Sequence, residues 1–486
     1  MARRPDPNQQ RRDRLNDERG RLDRQARHRI ALAYPARYGV GMSSLGFQAI
    51  YRAIQTSDDF CCERIFAPDE PLAWDRGQAP VSYESGHSLA ELPVAAFSVS
   101  WELDLIELLR MLHRSGIPPL RQDRNHHHPL ILAGGPLTFS NPAPLLPFVD
   151  ALVIGEADSL VIDVLRVVFD GSDRDTMLTR LAALPHVIVP GDQALEMPRP
   201  CRCDDSLLPA WGPICTPHAE LRNMFLVEAV RGCSRGCHYC VMRRSTNGGM
   251  RVVPKETVLG VVPQDATRVG LVGASVTDHP HIEDIVRSLV DRGLGVGLSS
   301  LRADRLHAGL VEALRQAGYR TLTTAMDGAS ERLRELVERK TTEAQLREAA
   351  NLCRQAGIER LKLYVMVGMP SEEPEDIEEC ARLVKDLSRI VPVSLGISPF
   401  CAKRNTPLAQ APYAGLAKVD AHLALLRRKL AGAAELRATS SRWAWIESVL
   451  AAGGEAEGRA TLHAVQNGGG FSAFRKAFGA IGHLPG

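Results

Sequence analysis

From Ile30 onward, short apolar runs alternate with longer stretches in which apolar residues recur on one helical face. "IALAY" ends in the glycine-bearing "PARYGVGMSSLG" and is followed by "FQAIYRAI", which reads as strand, loop, helix. "VAAFSVS" (94–100) is a second strand. After it, Trp101, Leu105, Leu108, Leu109 and Leu112 fall on one face of a helix. "PLILAGG" (129–135) and "DALVIGE" (150–156) are further strands, each ending at glycine. Strands alternating with helices predict a parallel, doubly wound, Rossmann-like sheet over 30–190. Such a sheet takes ligands at the carboxyl ends of its strands. The candidate ligand loops are 38–46, 98–101, 134–141 and 155–156.

Residues 191–222 are proline-rich and aperiodic, and read as a connector. A second alternating series fills 223–405: "FLVEAV", "RVGLVGA" (268–274), "GVGLSSLR" (295–302), "TLTTAMD" (321–327), "LKLYVMVGMP" (361–370) and "VPVSLGISPF" (391–400). Six strand-then-helix units predict a partial (β/α)6 barrel, whose chemistry belongs at the carboxyl ends of its strands. Residues 406–486 read as a helical C-terminal region. Residues 1–29 differ from all of this. They hold ten arginines and five acids, which predicts a solvated basic extension, with an RNA- or partner-binding arm as the alternative.

Composition narrows the picture. The chain of 486 residues is 44% hydrophobic and 24% charged, with a net charge of +2, so bulk charge does not make it a polyanion binder. No run of about 18 apolar residues suggests a membrane span, and the N-terminus lacks the apolar core of a signal peptide. A cytoplasmic setting is expected, where structural disulfides are rare.

Three of the eleven cysteines lie in "CSRGCHYC": Cys233, Cys237 and Cys240, spaced Cys-x3-Cys-x2-Cys at the end of the first barrel strand. Structural zinc wants four ligands, commonly two tight pairs, and His238 is too close to the cysteines to complete a tetrahedron. An electron-transfer cubane takes four thiolates. Three thiolates leave one metal position open for a cofactor or substrate, although zinc or a plain electron-carrying cluster remains an alternative.

This motif, with Tyr239 before the last cysteine, resembles the radical S-adenosylmethionine (SAM) superfamily. The resemblance implies a [4Fe–4S] cluster on the three cysteines and SAM on the fourth iron, cleaved reductively to a 5′-deoxyadenosyl radical. It also implies a reductant such as flavodoxin or ferredoxin. By the same resemblance the SAM shell includes Gly273, Ala274 and Ser275 after the second strand, although Ser275 stands where the family has an acid. It further includes Ser299 and Arg302 at the carboxylate, Asp327 where relatives carry glutamate, and Gly368, Met369 and Pro370 under the adenine.

The N-terminal half resembles the cobalamin-binding subgroup, within an uncharacterised branch. "GG…NP…D…GE" is carried by Gly134, Gly135, Asn141, Pro142, Asp150, Gly155 and Glu156, and the loop residues Tyr38, Gly41, Met42, Ser43 and Ser98 join the candidate cobalamin set. The motif that supplies a lower axial histidine is missing. The resemblance implies cobalamin-dependent methylation or rearrangement of an unactivated carbon. A corrinoid-free radical enzyme doing oxidation, cyclisation or sulfur insertion is the alternative, and a non-catalytic iron–sulfur or RNA-binding protein is a third reading. The substrate and the catalytic acid or base are not readable. His126, His127 and His128 are read as a solvated loop, Cys61 and Cys62 as buried thiols, and Cys201, Cys203 and Cys215 as poorly spaced for a second cluster. Asp278 and His279 are weak acid–base candidates.

Overall fold

Ile30–Tyr34 is apolar at every position, as suits a strand covered on both faces of a parallel sheet. The computed structural model describes residues 6–70, 74, 77–171, 173–191, 197–242 and 249–486. The first five residues of the basic extension and 192–196 of the expected connector lie outside them. The chain divides into two units, Met1–Leu226 with Gly453–Ile481, and Val227–Ala452 with Gly482–Gly486.

The first unit holds six strands: β1 (His28–Arg37), β2 (Phe60–Ala67), β3 (Val94–Ser98), β4 (Leu130–Gly134), β5 (Ala151–Val153) and β6 (Val187–Ile188). Their order is β2-β1-β3-β4-β5-β6, parallel except for β6. The order reverses between β1 and β3, and that switch point is where a doubly wound sheet opens a ligand crevice. In the helix Asp104–Arg114, Leu105, Leu108, Leu109 and Leu112 are buried as the periodicity predicts. Trp101 does not join them. It precedes the helix and is 46% exposed.

Two features of this unit depart from the sequence reading. β2, "FCCERIFA", was not anticipated, because Glu63 and Arg64 interrupt its apolar run, yet every residue in it is buried. The basic extension is also not simply solvated. Its helix, Pro7–Asn16, buries no residue, but the segment that follows is built into the unit. Arg64 is fully buried against Glu18 (2.8 Å), itself fully buried, and against Glu84 (2.6 Å). Arg19 pairs with Cys215, and the Leu22 carbonyl accepts from Gln55 and Tyr51. The unit is completed from the other end of the sequence. The helix Glu455–Gln466 packs on 143–145 and on Asp104–Arg114, and a Cβ at Gly458 would lie 2.2 Å from the Pro144 carbonyl oxygen.

The second unit contains β7 (Met224–Glu228), a hairpin of β8 (Val230–Gly232) and β9 (Met250–Val252), then β10 (Arg268–Val272), β11 (Gly295–Leu298), β12 (Thr321–Asp327), β13 (Arg360–Val367), β14 (Val393–Pro399) and β15 (Glu435–Ala438). Two sheets, β11-β10-β7 and β12-β13-β14-β15, meet at a parallel bridge between Leu301 and Thr324 and form an open barrel. Helices Ile282–Asp291, Ala308–Gln316, Glu343–Ala356, Pro374–Ser388 and Leu416–Leu430 alternate with the strands. Glu343–Ala356 is bounded at both ends by local chemistry, a Thr342–Gln345 capping box and Gly357 at φ +73°. β15 extends the expected six strands. Only four residues long, it lies in the region read as helical.

Candidate functional site

The hairpin β8–β9 carries the cysteine loop, so the loop leaves directly from the first strands of the barrel. Cys237 is buried, and Cys233 and Cys240 are half-buried. Burial first, with negative charge on Cys237 or Cys233 adding to it, pushes the Cys240 thiol up to about 11, so the three sulfurs share one electrostatic neighbourhood. Among the described residues no three of His, Cys, Asp and Glu gather closely enough to hold a single ion. A cubane does not require that, because each thiolate binds its own iron. The loop therefore fits a cluster better than it fits zinc.

The loop is held from three sides. The Tyr239 hydroxyl donates to Asp327 (2.6 Å), which also pairs with Arg339 (2.9 Å). Asp327 takes φ +62° at a register break in β12, a conformation a non-glycine residue adopts only when its neighbours impose it. The second hold is the segment 337–340. Its Val337 carbonyl accepts from the His238 N–H (3.0 Å) and its Glu338 carbonyl accepts from the Cys237 thiol (3.8 Å). The third is a charged cluster in which the sequence singles out Arg302 and Asp278 for other roles and does not point to Asp304. Ser234 donates to Asp278 (2.6 Å) and Arg235 to Asp304 (2.5 Å), while Arg302 bridges the two carboxylates, at 2.5 Å to each. Burial alone would raise the Asp278 carboxyl. Hydrogen bonds from Ser234 and Ser275 and the Arg302 guanidinium outweigh burial and hold it below the usual range.

The geometry of the other candidates follows. Ser299 donates to the Gly273 carbonyl (2.8 Å) and accepts from its N–H (3.0 Å), so the ends of β10 and β11 are tied together. Ala274 is half-buried beside them, and Ser275 is fully buried. Arg302 is buried between its two aspartates. Gly368, at φ +77°, donates its N–H to Glu372 (2.6 Å), and Met369 is buried next to it. Glu372 is itself buried and bonded to His422 (2.7 Å), a pair separated by 50 residues that no local motif would expose. His279 is a core histidine bonded to the Val253 carbonyl (2.8 Å), and burial lowers its pKa.

In the first unit most of the candidate cobalamin residues make internal contacts. Tyr38 is buried and donates to Glu18 (2.6 Å), and Met42 lies against Arg64. Ser43 donates to the Gly39 carbonyl and accepts from Leu221. A Cβ on Gly41 would strike the Phe66 ring, on Gly135 (φ +105°) the Val99 carbonyl at 2.7 Å, and on Gly155 (φ +103°) the Cys201 backbone at 2.2 Å. Asn141 donates to the Gly453 carbonyl, Glu156 accepts from Cys203, and Asp150 pairs with Arg124 and Arg174. What stays accessible beside the switch point is Ser98, Gly134 and the indole of Trp101. Cys201 and Cys203 are buried thiols.

Comparison with known proteins matches this architecture. Residues 46–190 fit the family model "Radical SAM proteins, N-terminal", and residues 227–384 fit "Radical SAM superfamily". An uncharacterized protein of Methanocaldococcus jannaschii is 27% identical over 389 residues, 78% of each chain. Two solved structures share the fold. The radical SAM methyltransferase TsrM of Kitasatospora setae, with tryptophan and a SAM analog bound, has a TM-score of 0.55 at 14% identity, covering 79% of this chain and 75% of its own. The cobalamin-dependent radical SAM enzyme OxsB, with aqua-cobalamin and SAM bound, has a TM-score of 0.51 at 11% identity, covering 83% and 55%. Taken with the three-cysteine loop at the mouth of an open barrel, these matches show that the chain belongs to the radical SAM superfamily and shares its overall fold with cobalamin-dependent members.

Proposed function

We propose that this enzyme cleaves SAM reductively at a [4Fe–4S] cluster held by Cys233, Cys237 and Cys240, and that a corrinoid in the first unit takes part in methylating or rearranging an unactivated carbon. The observation that carries the first half is the cysteine loop, with three thiols in one neighbourhood and Tyr239, Ser234 and Arg235 each anchored to a carboxylate. When bound, the cluster and SAM supply a primary-carbon radical. The residues of this chain fix the loop and line its surroundings. Gly273, Ala274, Ser275 and Ser299 offer small and polar groups at the ends of β10 and β11, and a buried turn at Gly368 and Met369, pinned by Glu372, ends β13. Arg302 serves the site through the aspartates it holds. A one-electron reductant and a substrate complete the reaction.

The corrinoid half is supported by the fold shared with TsrM and OxsB and by the crevice at the β1/β3 switch point. Gly134 is the informative position there, because a Cβ on it meets nothing closer than 3.5 Å, whereas Gly135 is required by the fold itself. The test is anaerobic reconstitution with iron and sulfide, reduction, and quantification of 5′-deoxyadenosine. Gel filtration after incubation with hydroxocobalamin follows. Alanine at any one of the three cysteines is expected to abolish cleavage and lower the iron content. Gly134→Leu is expected to lower retained corrinoid while iron stays constant. Wild-type protein that retains no corrinoid, oxidised or reduced, would leave a corrinoid-free radical enzyme as the reading.

A further inference from the structure

We propose that the wall of the open barrel selects a substrate bearing an anionic group, a carboxylate or a phosphate, received by Lys362 with the Tyr364 hydroxyl beside it. This rests on the reading of the second unit as a radical SAM core and names the substrate class for that site. β13 alternates cleanly. Leu361, Leu363, Val365 and Val367 are buried, whereas Arg360, Lys362, Tyr364 and Met366 are not. In a strand, such alternate residues lie on opposite faces. Met366 identifies the second face, because it packs with Tyr239 of the cysteine loop against Val337, Met369 and Phe400. Tyr364 and Lys362 therefore continue the surface that begins at the cysteine loop, about 7 and 13 Å further along the strand.

Barrel interiors are ordinarily filled by layers of bulky side chains. Here the layer at Tyr364 pairs it with Ala325 on one side and Gly396 on the other. The ring lies on Gly396, where a Cβ would stand 2.7 Å away, and Tyr364 remains 44% exposed. A large side chain laid along the wall of a barrel leaves space in front of it. The Lys362 ammonium sits 4.7 Å from the ring centroid. Among the described residues it has no carboxylate partner, and neither the Tyr364 hydroxyl nor the hydroxyl of Thr323, its register neighbour, has a hydrogen bond. The carboxylates on this wall are already engaged. Asp327 is bound by Tyr239 and Arg339, and Glu435 is shared by Arg360 and Arg437. The wall below the cysteine loop thus carries uncompensated positive charge beside free hydroxyls, the complement of an oxyanion.

The test uses full-length reconstituted protein and ligand-detected NMR with two probes, benzoate and phenyl phosphate, at low and high salt. Saturable millimolar binding of at least one is expected, weakened by salt. Preference for benzoate assigns a carboxylate and preference for phenyl phosphate assigns a phosphate. Lys362→Met should weaken binding about tenfold or more, the scale of one lost charge-assisted contact. Lys362→Arg should largely retain it, and Lys476→Met, on the exposed face of the helix Phe471–Gly479 in the first unit, should not change it. Binding of neither probe, or equal binding by Lys362→Met, overturns the proposal. Measuring 5′-deoxyadenosine in parallel separates the two readings. Lost probe binding with cleavage intact in Lys362→Met supports the anion site. Wild-type protein that binds the probe yet never cleaves SAM removes the radical reading and leaves the anion site standing.

Discussion

Arg64 and Arg302 are each gripped by two carboxylates, and they do different work. Arg64 lies wholly inside the first unit, between Glu18 and Glu84, and joins an N-terminal segment to a strand. Arg302 lies at the rim of the second unit, between Asp278 and Asp304, which in turn hold Ser234 and Arg235 of the cysteine loop. The first network ends in the fold, whereas the second hands its rigidity on to thiols. An arginine between two acids is thus not by itself a sign of function. What matters is what the acids hold with their remaining lone pairs.

The largest expected effect breaks the first network. Arg64→Met leaves two carboxylates buried without a cation and should cost about 3–5 kcal/mol in denaturant unfolding. Deleting residues 1–24 should destabilise the same unit, because it removes Glu18. Unfolding unchanged in both variants would show that the extension is dispensable.

Asp104 sharpens the comparison, because it is a buried carboxylate without a cation. It accepts the Ser100 and Trp101 N–H groups, yet burial raises it to about 6. A pKa raised in the folded state means stability that is full below about 4, the unfolded value, and lost as pH rises through about 6. Asp104→Asn should therefore gain up to about 3 kcal/mol over wild type at pH 7.5 and much less at pH 4.5. A stability difference that does not vary with pH would contradict the assignment.

Breaking the second network should cost less stability and more cluster. Asp304→Asn is expected to lose about 1–3 kcal/mol, to load less iron per chain, and to leave the first unit's unfolding unchanged. Full iron content in that variant would show that the loop is held without this cluster. At the small end, Arg37 and Glu220 form a pair at 2.6 Å with both partners more than half exposed. Arg37→Ala should shift stability by no more than about 0.5 kcal/mol.

The elements that were legible had local causes. Ile30–Tyr34 announces a covered strand by composition alone, and the cysteine spacing lies within eight residues. β2 was hidden because Glu63 and Arg64 find their partners through tertiary structure, and β15 because four residues give no period. At the site, Asp304, Arg339 and the Glu372–His422 pair were missed for the same reason, since each acts on a residue far from it in sequence, and Asp278 was singled out as an acid–base candidate rather than as an anchor of the cysteine loop. The glycines misled in the opposite direction. Gly135 and Gly155 look like a place for a flat ligand, but their own backbone neighbours already require them.

The helix Glu455–Gln466, docked on 143–145, has a consequence for biosynthesis. The two segments that build the first unit are separated in the chain by the whole of 227–452, which is made between them. At about 5–20 residues per second, its sheet waits roughly ten to forty-five seconds while the second unit is made. Through that interval the surface meant for Ala460, Leu462 and Ala464 is uncovered. A nascent chain stalled before Gly453 should therefore hold chaperones that the released chain does not.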